Sequence, residues 1–240
     1  MNNFEKLQKM IDESNNIVFF GGAGVSTESG IKDFRSVDGL YNELYDYPPE
    51  EILSHSFFLS HTKEFYDFYR DKLNALDIKP NITHEYLKKL EDSGKLKAIV
   101  TQNIDGLHEK AGSKNVLLLH GTTYKNHCMN CHKEFDAEYV FNSKDIPLCT
   151  KCNGIIKPDV VLYEEPLDDN VVNKTIQAIS ESDLLIIGGT SLAVYPAASF
   201  INYFKGKYLV IINRDTTPYD NKADLVIHEK LGDIFSKLTC

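Results

Sequence analysis

The stretch IVFFGGAGVST, residues 17–27, decides how the rest of the chain is read. Its first five residues are apolar on both alternating faces, as a strand covered by helices on two sides requires. Outward from it, apolar runs alternate with helix-period segments. The runs are Lys97–Asn103, Val116–Gly121, Pro158–Tyr163, Asp183–Ser191, Tyr208–Asn213 and Ala223–His228. Between them stand amphipathic stretches. Phe4, Leu7 and Ile11 share one face of an opening helix, and THEYLKKLEDSG carries Thr83 as a cap and Gly94 as a stop. Strand and helix in alternation define an α/β chain, a parallel sheet sandwiched between helices.

The carboxyl ends of these runs carry Gly22-Ala23-Gly24, Gln102-Asn103-Ile104-Asp105, His120-Gly121, Gly189-Thr190-Ser191 and Asn213. Ligands of open parallel sheets bind outside the strand carboxyl ends near the switch point of strand order, so these groups are expected to converge on one crevice. The loop after the first strand supplies GxG, with Thr27 where a dinucleotide fingerprint has its third glycine. Such glycines admit a pyrophosphate against free N–H groups at the following helix end, and they equally suit a tight turn with no ligand. The acid that would bind a ribose falls near Glu43 or Asp46, away from any strand end, which disfavours an ordinary dehydrogenase.

Four of the five cysteines form the pairs Cys128/Cys131 and Cys149/Cys152, with 17 residues between the pairs. C-x2-C-x17-C-x2-C is the spacing of a four-thiolate zinc ribbon, in which protein sulfur fills every position and the metal is structural. A redox CxxC occurs singly beside a strand-to-helix unit, unlike this matched pair. His127 and His132 are read as loop histidines outside the ligand set.

Two segments interrupt the alternation, an aromatic, charged helical stretch from Ser36 to about Pro80 and the cysteine module. The expected organisation is a Rossmann-like domain of residues 1–35, 81–121 and 158–240. A smaller inserted domain of residues 36–80 and 122–157 would contain the zinc ribbon. At 240 residues, with 26 basic and 35 acidic side chains and a net charge of −9, the chain has no cationic block suited to nucleic-acid phosphates. A basic peptide suits its sign better. No apolar run reaches the ~20 residues of a membrane span and the amino terminus lacks a signal-peptide layout, so a cytoplasmic location is expected.

The strings GAGVSTESGIKDFRS, TQNIDGLH, LHG, the paired CxxC knuckles, KPDVVLYEE, GTSLAVYPAA and the VIIN strand end occur in one order across nearly the whole chain. Together they resemble the sirtuins, the NAD-dependent protein-lysine deacylases. The resemblance implies that Gly22, Ala23, Gly24, Thr27, Phe34 and Arg35 belong to the loop over NAD, and that Gln102, Asn103, Ile104 and Asp105 line the nicotinamide pocket. Gly189, Thr190, Ser191 and Asn213 would hold the adenosine half, with Asp233 facing the adenine.

His120 would be the general base, with Asn103 and Asp105 orienting the cofactor. A histidine of ordinary pKa, near 6.5, can take a proton from a ribose hydroxyl at neutral pH. The implied reaction starts with attack of the acyl-lysine carbonyl oxygen on the ribose carbon that bears nicotinamide. It yields nicotinamide, O-acyl-ADP-ribose and free lysine. The acyl-lysine peptide would pair by strand addition along Val160, Val161 and Tyr163.

Departures from the family pattern are Lys32 in place of a usual proline and Tyr163-Glu164-Glu165 in place of Phe-Gly-Glu. A third concerns the acyl group. Succinyl- and malonyl-removing relatives carry Tyr and Arg three residues apart, whereas here Tyr66 is followed by Tyr69 and then Arg70. One residue turns about 100° around a helix, so Arg70 is expected to point away from the pocket that Tyr66 faces, favouring acetyl or other uncharged acyl groups. A mono-ADP-ribosyltransferase using the same cofactor and a non-enzymatic zinc-ribbon module are the competing readings.

Overall fold

The computed structural model describes residues 2–33, 39–40 and 45–240. Strand β1 (Ile17–Gly21) is buried throughout. It lies between β2 (Leu96–Thr101) and β7 (Leu184–Gly188), all parallel, in a six-stranded sheet. With β3 (Val116–Leu118), β8 (Tyr208–Ile212) and β9 (Leu225–Ile227), the order is β3-β2-β1-β7-β8-β9.

The two faces of β1 explain its unbroken apolar run. Phe19 packs into a layer with Leu7 and Ile11 of α1 (Asn3–Glu13), Leu87 and Leu90 of α5 (Ile82–Asp92), and Phe235 of α9 (Leu231–Phe235). Val18 and Phe20 meet Ile179 of α8 (Asp169–Glu181) and Phe200 on the opposite side. Alternating side chains therefore both enter cores.

Helix α5 is capped two residues earlier than the expected Thr83. Asn81 is the cap, its side chain accepting from the Thr83 N–H at 3.0 Å. Pro80 precedes it, and an amide at Asn81 closes a reciprocal capping box with His84. Gly94, at φ +78°, terminates the segment as expected.

The run Pro158–Tyr163 does not join the parallel sheet. Strand β6 (Ile156–Val160) pairs antiparallel with β4 (Gly121–Cys128), which also pairs with β5 (Glu134–Asp136). An apolar run shows that a strand is buried, not which sheet buries it. This three-stranded sheet shares one core with the helices α2 (Pro49–Ile52), α3 (His55–Ser60), α4 (Thr62–Lys72) and α7 (Ala137–Phe141). Phe57, Phe58, Phe65 and Tyr69 from the helices meet Val140, Phe141, Ile156 and Leu162 there.

Candidate active site

The order of strands reverses at β1, whose successor β2 lies on one side and β7 on the other. Their ends are level, Gly21 pairing with both Thr101 and Gly188. A cleft of roughly 910 Å³ opens there and continues to the three-stranded sheet. Gly22, Ala23, Gly24, Thr27, Gln102, Asn103, Ile104, Asp105, His120, Val160, Val161, Tyr163, Gly189, Thr190, Ser191 and Asn213 all line it. Phe34, Arg35 and Glu43 lie outside the described residues. Asp233 is exposed on α9 and absent from the lining; Glu229, Lys230 and Leu231 are the residues of that segment that reach the cleft.

No α-helix follows the glycine loop, contrary to expectation. The chain makes two short 3-10 turns, Ala23–Val25 and Thr27–Ser29. The loop packs directly on the end of β7: the Gly24 N–H donates to the Gly189 carbonyl at 2.8 Å. A Cβ on Gly24 would come within 2.7 Å of the Gly189 backbone. Glycine is therefore demanded by packing before any ligand is considered. Among the described residues the N–H groups of Ala23, Thr27 and Glu28 have no acceptor. All three residues line the cleft, so they offer donors suited to phosphate oxygens.

Asn103 and Asp105, 9% and 8% exposed, are tied together by Ser26, a residue the sequence reading passed over. The Ser26 hydroxyl donates to Asp105 Oδ2 at 2.7 Å and accepts from Asn103 Nδ2 at 3.1 Å. Asp105 Oδ1 accepts the Leu107 N–H, which opens α6 (Leu107–Lys110). Burial raises the Asp105 pKa, opposed by the Leu107 and Ser26 hydrogen bonds. The only sequence signal for Ser26 was its place in the glycine loop, since its partners lie far along the chain. Gln102 Nε2 donates to Thr190 Oγ1 at 3.1 Å, joining β2 to β7 across the crevice.

His120 stands where the chain leaves the parallel sheet. Gly121 makes the turn at φ +75°, and a Cβ there would lie 1.9 Å from the Asp159 carbonyl oxygen. His120 Nδ1 is 2.9 Å from the Gln102 carbonyl oxygen, which can only accept. Nδ1 therefore carries the proton and Nε2 keeps a free lone pair. Burial lowers the His120 pKa, partly offset by that hydrogen bond. The imidazole is thus a neutral base at neutral pH.

The four cysteine sulfurs lie within 4.8 Å of one another. Cys128–Cys152 is 3.4 Å and Cys131–Cys149 is 3.6 Å, near the roughly 3.8 Å separation that tetrahedral bonds of about 2.3 Å to zinc require. The Asn130 and Lys151 N–H groups point at Cys128 and Cys149 sulfur, at 3.4 and 3.3 Å, a donor set that favours thiolate. His127 is not in a loop as expected: it belongs to β4 and pairs with Asp159, while His132 takes a left-handed turn.

Tyr66 does not face the cleft. It is fully buried, its hydroxyl donating to the Ile156 carbonyl, and Tyr69 lines the cleft in its place. Arg70 is also absent from the lining, but not by diverging from Tyr66 as expected: the two share a helix face, with the guanidinium 5.8 Å from the Tyr66 ring centroid. That guanidinium is held by Ser143 Oγ at 3.1 Å, the Asp145 carbonyl at 2.9 Å and Asp67 Oδ1 at 2.8 Å.

A parallel sheet with a polar cleft at its switch point, and a separate three-stranded sheet whose core includes a four-cysteine cluster, define a Rossmann-like protein with a cysteine cluster suited to zinc. The Sir2 family model matches residues 22–196, and the chain belongs to that family. An NAD-dependent protein deacetylase of Clostridium perfringens is 60% identical over 236 residues, covering 97% of each chain. One of Clostridium acetobutylicum is 58% identical over 237 residues, covering 98% of this chain and 97% of its own. A Sir2 variant solved with deacetylated p53 peptide and 3'-O-acetyl ADP ribose superposes with a TM-score of 0.91 at 36% identity, over 98% of this chain and 96% of its own. Sir2 solved with p53 peptide and NAD+ gives 0.88 at 38% identity, over 99% and 97%.

Proposed function

We propose that the protein removes acetyl groups from protein lysines with consumption of NAD, releasing nicotinamide, O-acetyl-ADP-ribose and free lysine. The observation that carries this reading is the convergence, in one cleft, of His120 as a neutral base with the Ser26-linked pair Asn103 and Asp105. Relatives at up to 60% identity bear the name of that activity. Bound NAD would supply an electrophilic ribose carbon with nicotinamide as its leaving group.

The chain's own residues then have distinct tasks. The N–H groups of Ala23, Thr27 and Glu28 fit the pyrophosphate, while Thr190, Ser191 and Asn213, which also line the cleft, would hold the adenosine half. Asn103 and Asp105 orient the nicotinamide end, prepaying the entropy of a reactive pose. Nε2 of His120 accepts the ribose hydroxyl proton. Val161 lines the cleft and its carbonyl has no backbone donor among the described residues, so it would suit the amide N–H of an acyl-lysine. With Val161 and Tyr163 N–H groups already bonded to His120 and Leu53, a substrate strand would pair through that carbonyl and the segment beyond Tyr163.

The four cysteines would hold one zinc ion whose closed shell leaves no position for water or substrate, a structural role. An acetyl preference fits the placement of Arg70, whose guanidinium is already occupied away from the cleft.

Incubation with NAD and an acetyl-lysine peptide tests the reading. Nicotinamide, deacetylated peptide and O-acetyl-ADP-ribose should form in equal amounts. ADP-ribosylated protein without free lysine would instead make the chain a ribosyltransferase.

A further inference from the structure

Consecutive glutamates at the rim of the cleft meet opposite electrostatic fates. Glu165 is neutralised from within: its carboxylate meets His55 Nδ1 at 2.7 Å and Lys157 Nζ at 3.1 Å, and accepts the Leu162 N–H at 2.8 Å. Among the described residues Glu164 has only neutral donors. Its two oxygens accept from the Ser56 N–H and the Ser56 hydroxyl, both at 2.9 Å. No cation of a described residue pairs with it. Glu164 is exposed, lines the cleft, and follows directly on the segment where the acyl-lysine peptide would lie.

Its backbone adds a second observation. Glu164 has φ +76°, a left-handed conformation that costs any residue with a Cβ and that glycine adopts freely. A strained glutamate where glycine would be relaxed directs attention to what its side chain supplies. Anchoring the segment to Ser56 is one contribution. Among the described residues, that anchor leaves the carboxylate without a cationic partner at the cleft, whose lining also includes Tyr163 and Tyr195, 38% and 67% exposed.

Building on the deacetylase reading, we propose that Glu164 is a specificity-determining residue. It selects substrates with an arginine or lysine one or two residues from the acyl-lysine. The stem of such a side chain can lie along an exposed tyrosine ring while its head meets the Glu164 carboxylate.

The test uses one acetyl-lysine peptide with Arg, Ala or Glu placed in turn at each of the two positions on either side of the acyl-lysine. At one or more positions kcat/KM should favour Arg over Glu by about two- to fivefold, the range of a solvent-exposed ion pair. The ratio should shrink toward one in Glu164→Gln, which keeps an oxygen for Ser56 and removes the charge. It should persist in Ser56→Ala, which loosens the anchor and keeps the charge. Raising the salt concentration on the unaltered protein should shrink it as well, independently of how any variant folds.

Equal kcat/KM for Arg and Glu peptides would overturn the inference while leaving deacetylation intact. So would a ratio unchanged in Glu164→Gln with all turnover reduced alike, the signature of an anchor alone. No turnover of any peptide would remove the deacetylase reading and this one with it.

Discussion

At the scale of the residue, His120 is defined by one hydrogen bond. Because Nδ1 donates its hydrogen bond to the Gln102 carbonyl, only the Nε2 lone pair is left to accept a proton, and burial disfavours its protonation. His120→Ala is expected to lower kcat by about 10²–10⁴-fold, the worth of a general base. NAD affinity, measured by calorimetry, should change little. The pH profile has a definite sign. Since burial moves the His120 pKa below its ordinary value in the free protein, the acid limb of kcat/KM should lie below about pH 6.5, activity falling as protonation removes the lone pair. An acid limb above neutrality would contradict the assignment.

At the scale of the element, α5 and α6 meet through His84 and His108, whose ring centroids are 4.7 Å apart in the core. Burial lowers the His84 pKa to about 4 and the His108 pKa to about 3, the latter also through its neighbour His84. Unfolding returns both to ordinary imidazoles, so between those values and about pH 6.5 the unfolded chain binds more protons. Their contribution to stability is present above about pH 6.5 and is lost as pH falls. Calorimetry at pH 5.5 in buffers of different ionisation enthalpy should therefore show proton uptake on unfolding; release would refute the buried neutral pair.

The zinc module behaves as an element too. Cys128, Cys149, Phe57, Phe65 and Ile156 share one apolar cluster, so the ribbon and the helices beside it should be lost together. Replacing Cys128 by Ala, or stripping metal with a chelator, is expected to unfold that cluster and abolish turnover, since thiolate zinc sites contribute folding free energy directly. Metal analysis should find one zinc per active chain, and its absence would end this reading. Cys240→Ser, at the exposed terminus, should shift stability by less than about 0.5 kcal/mol.

At the scale of the whole molecule, the cleft is bounded by the parallel sheet on one side and the helix-and-ribbon cluster on the other, and the acyl group would end near the latter. There α4 presents Tyr69 to the cleft and holds Arg70 against Ser143, Asp145 and Asp67. A succinyl carboxylate would thus enter without the bidentate guanidinium partner that makes its burial favourable. The kcat/KM for a matched acetyl peptide should exceed that for the succinyl peptide by at least about tenfold, or ~1.4 kcal/mol. Arg70→Met should leave the ratio in place. A succinyl preference lost in Arg70→Met would show that the guanidinium leaves its present partners.

What was legible in the sequence was whatever depends on local spacing. Residues 17–21 read as a doubly covered strand because both alternating faces are apolar. The cysteine pairs read as a metal module because ligand spacing is local. The polar groups at successive strand ends could be placed in one crevice because parallel topology forces those ends to one edge. Contacts between distant parts of the chain had no such signature. Ser26 joins Asn103 and Asp105 only after β1 and β2 pair in register, and residues 156–160 find β4 only once the glycine turn at 121 redirects the chain. Which of Tyr66 and Tyr69 meets the cleft depended on how α4 rotates against the ribbon. Glu164 is an acidic residue whatever the fold, but its lack of a cationic partner among the described residues was decided by tertiary structure, which gave Lys157 and His55 to Glu165 and only the neutral donors of Ser56 to its neighbour.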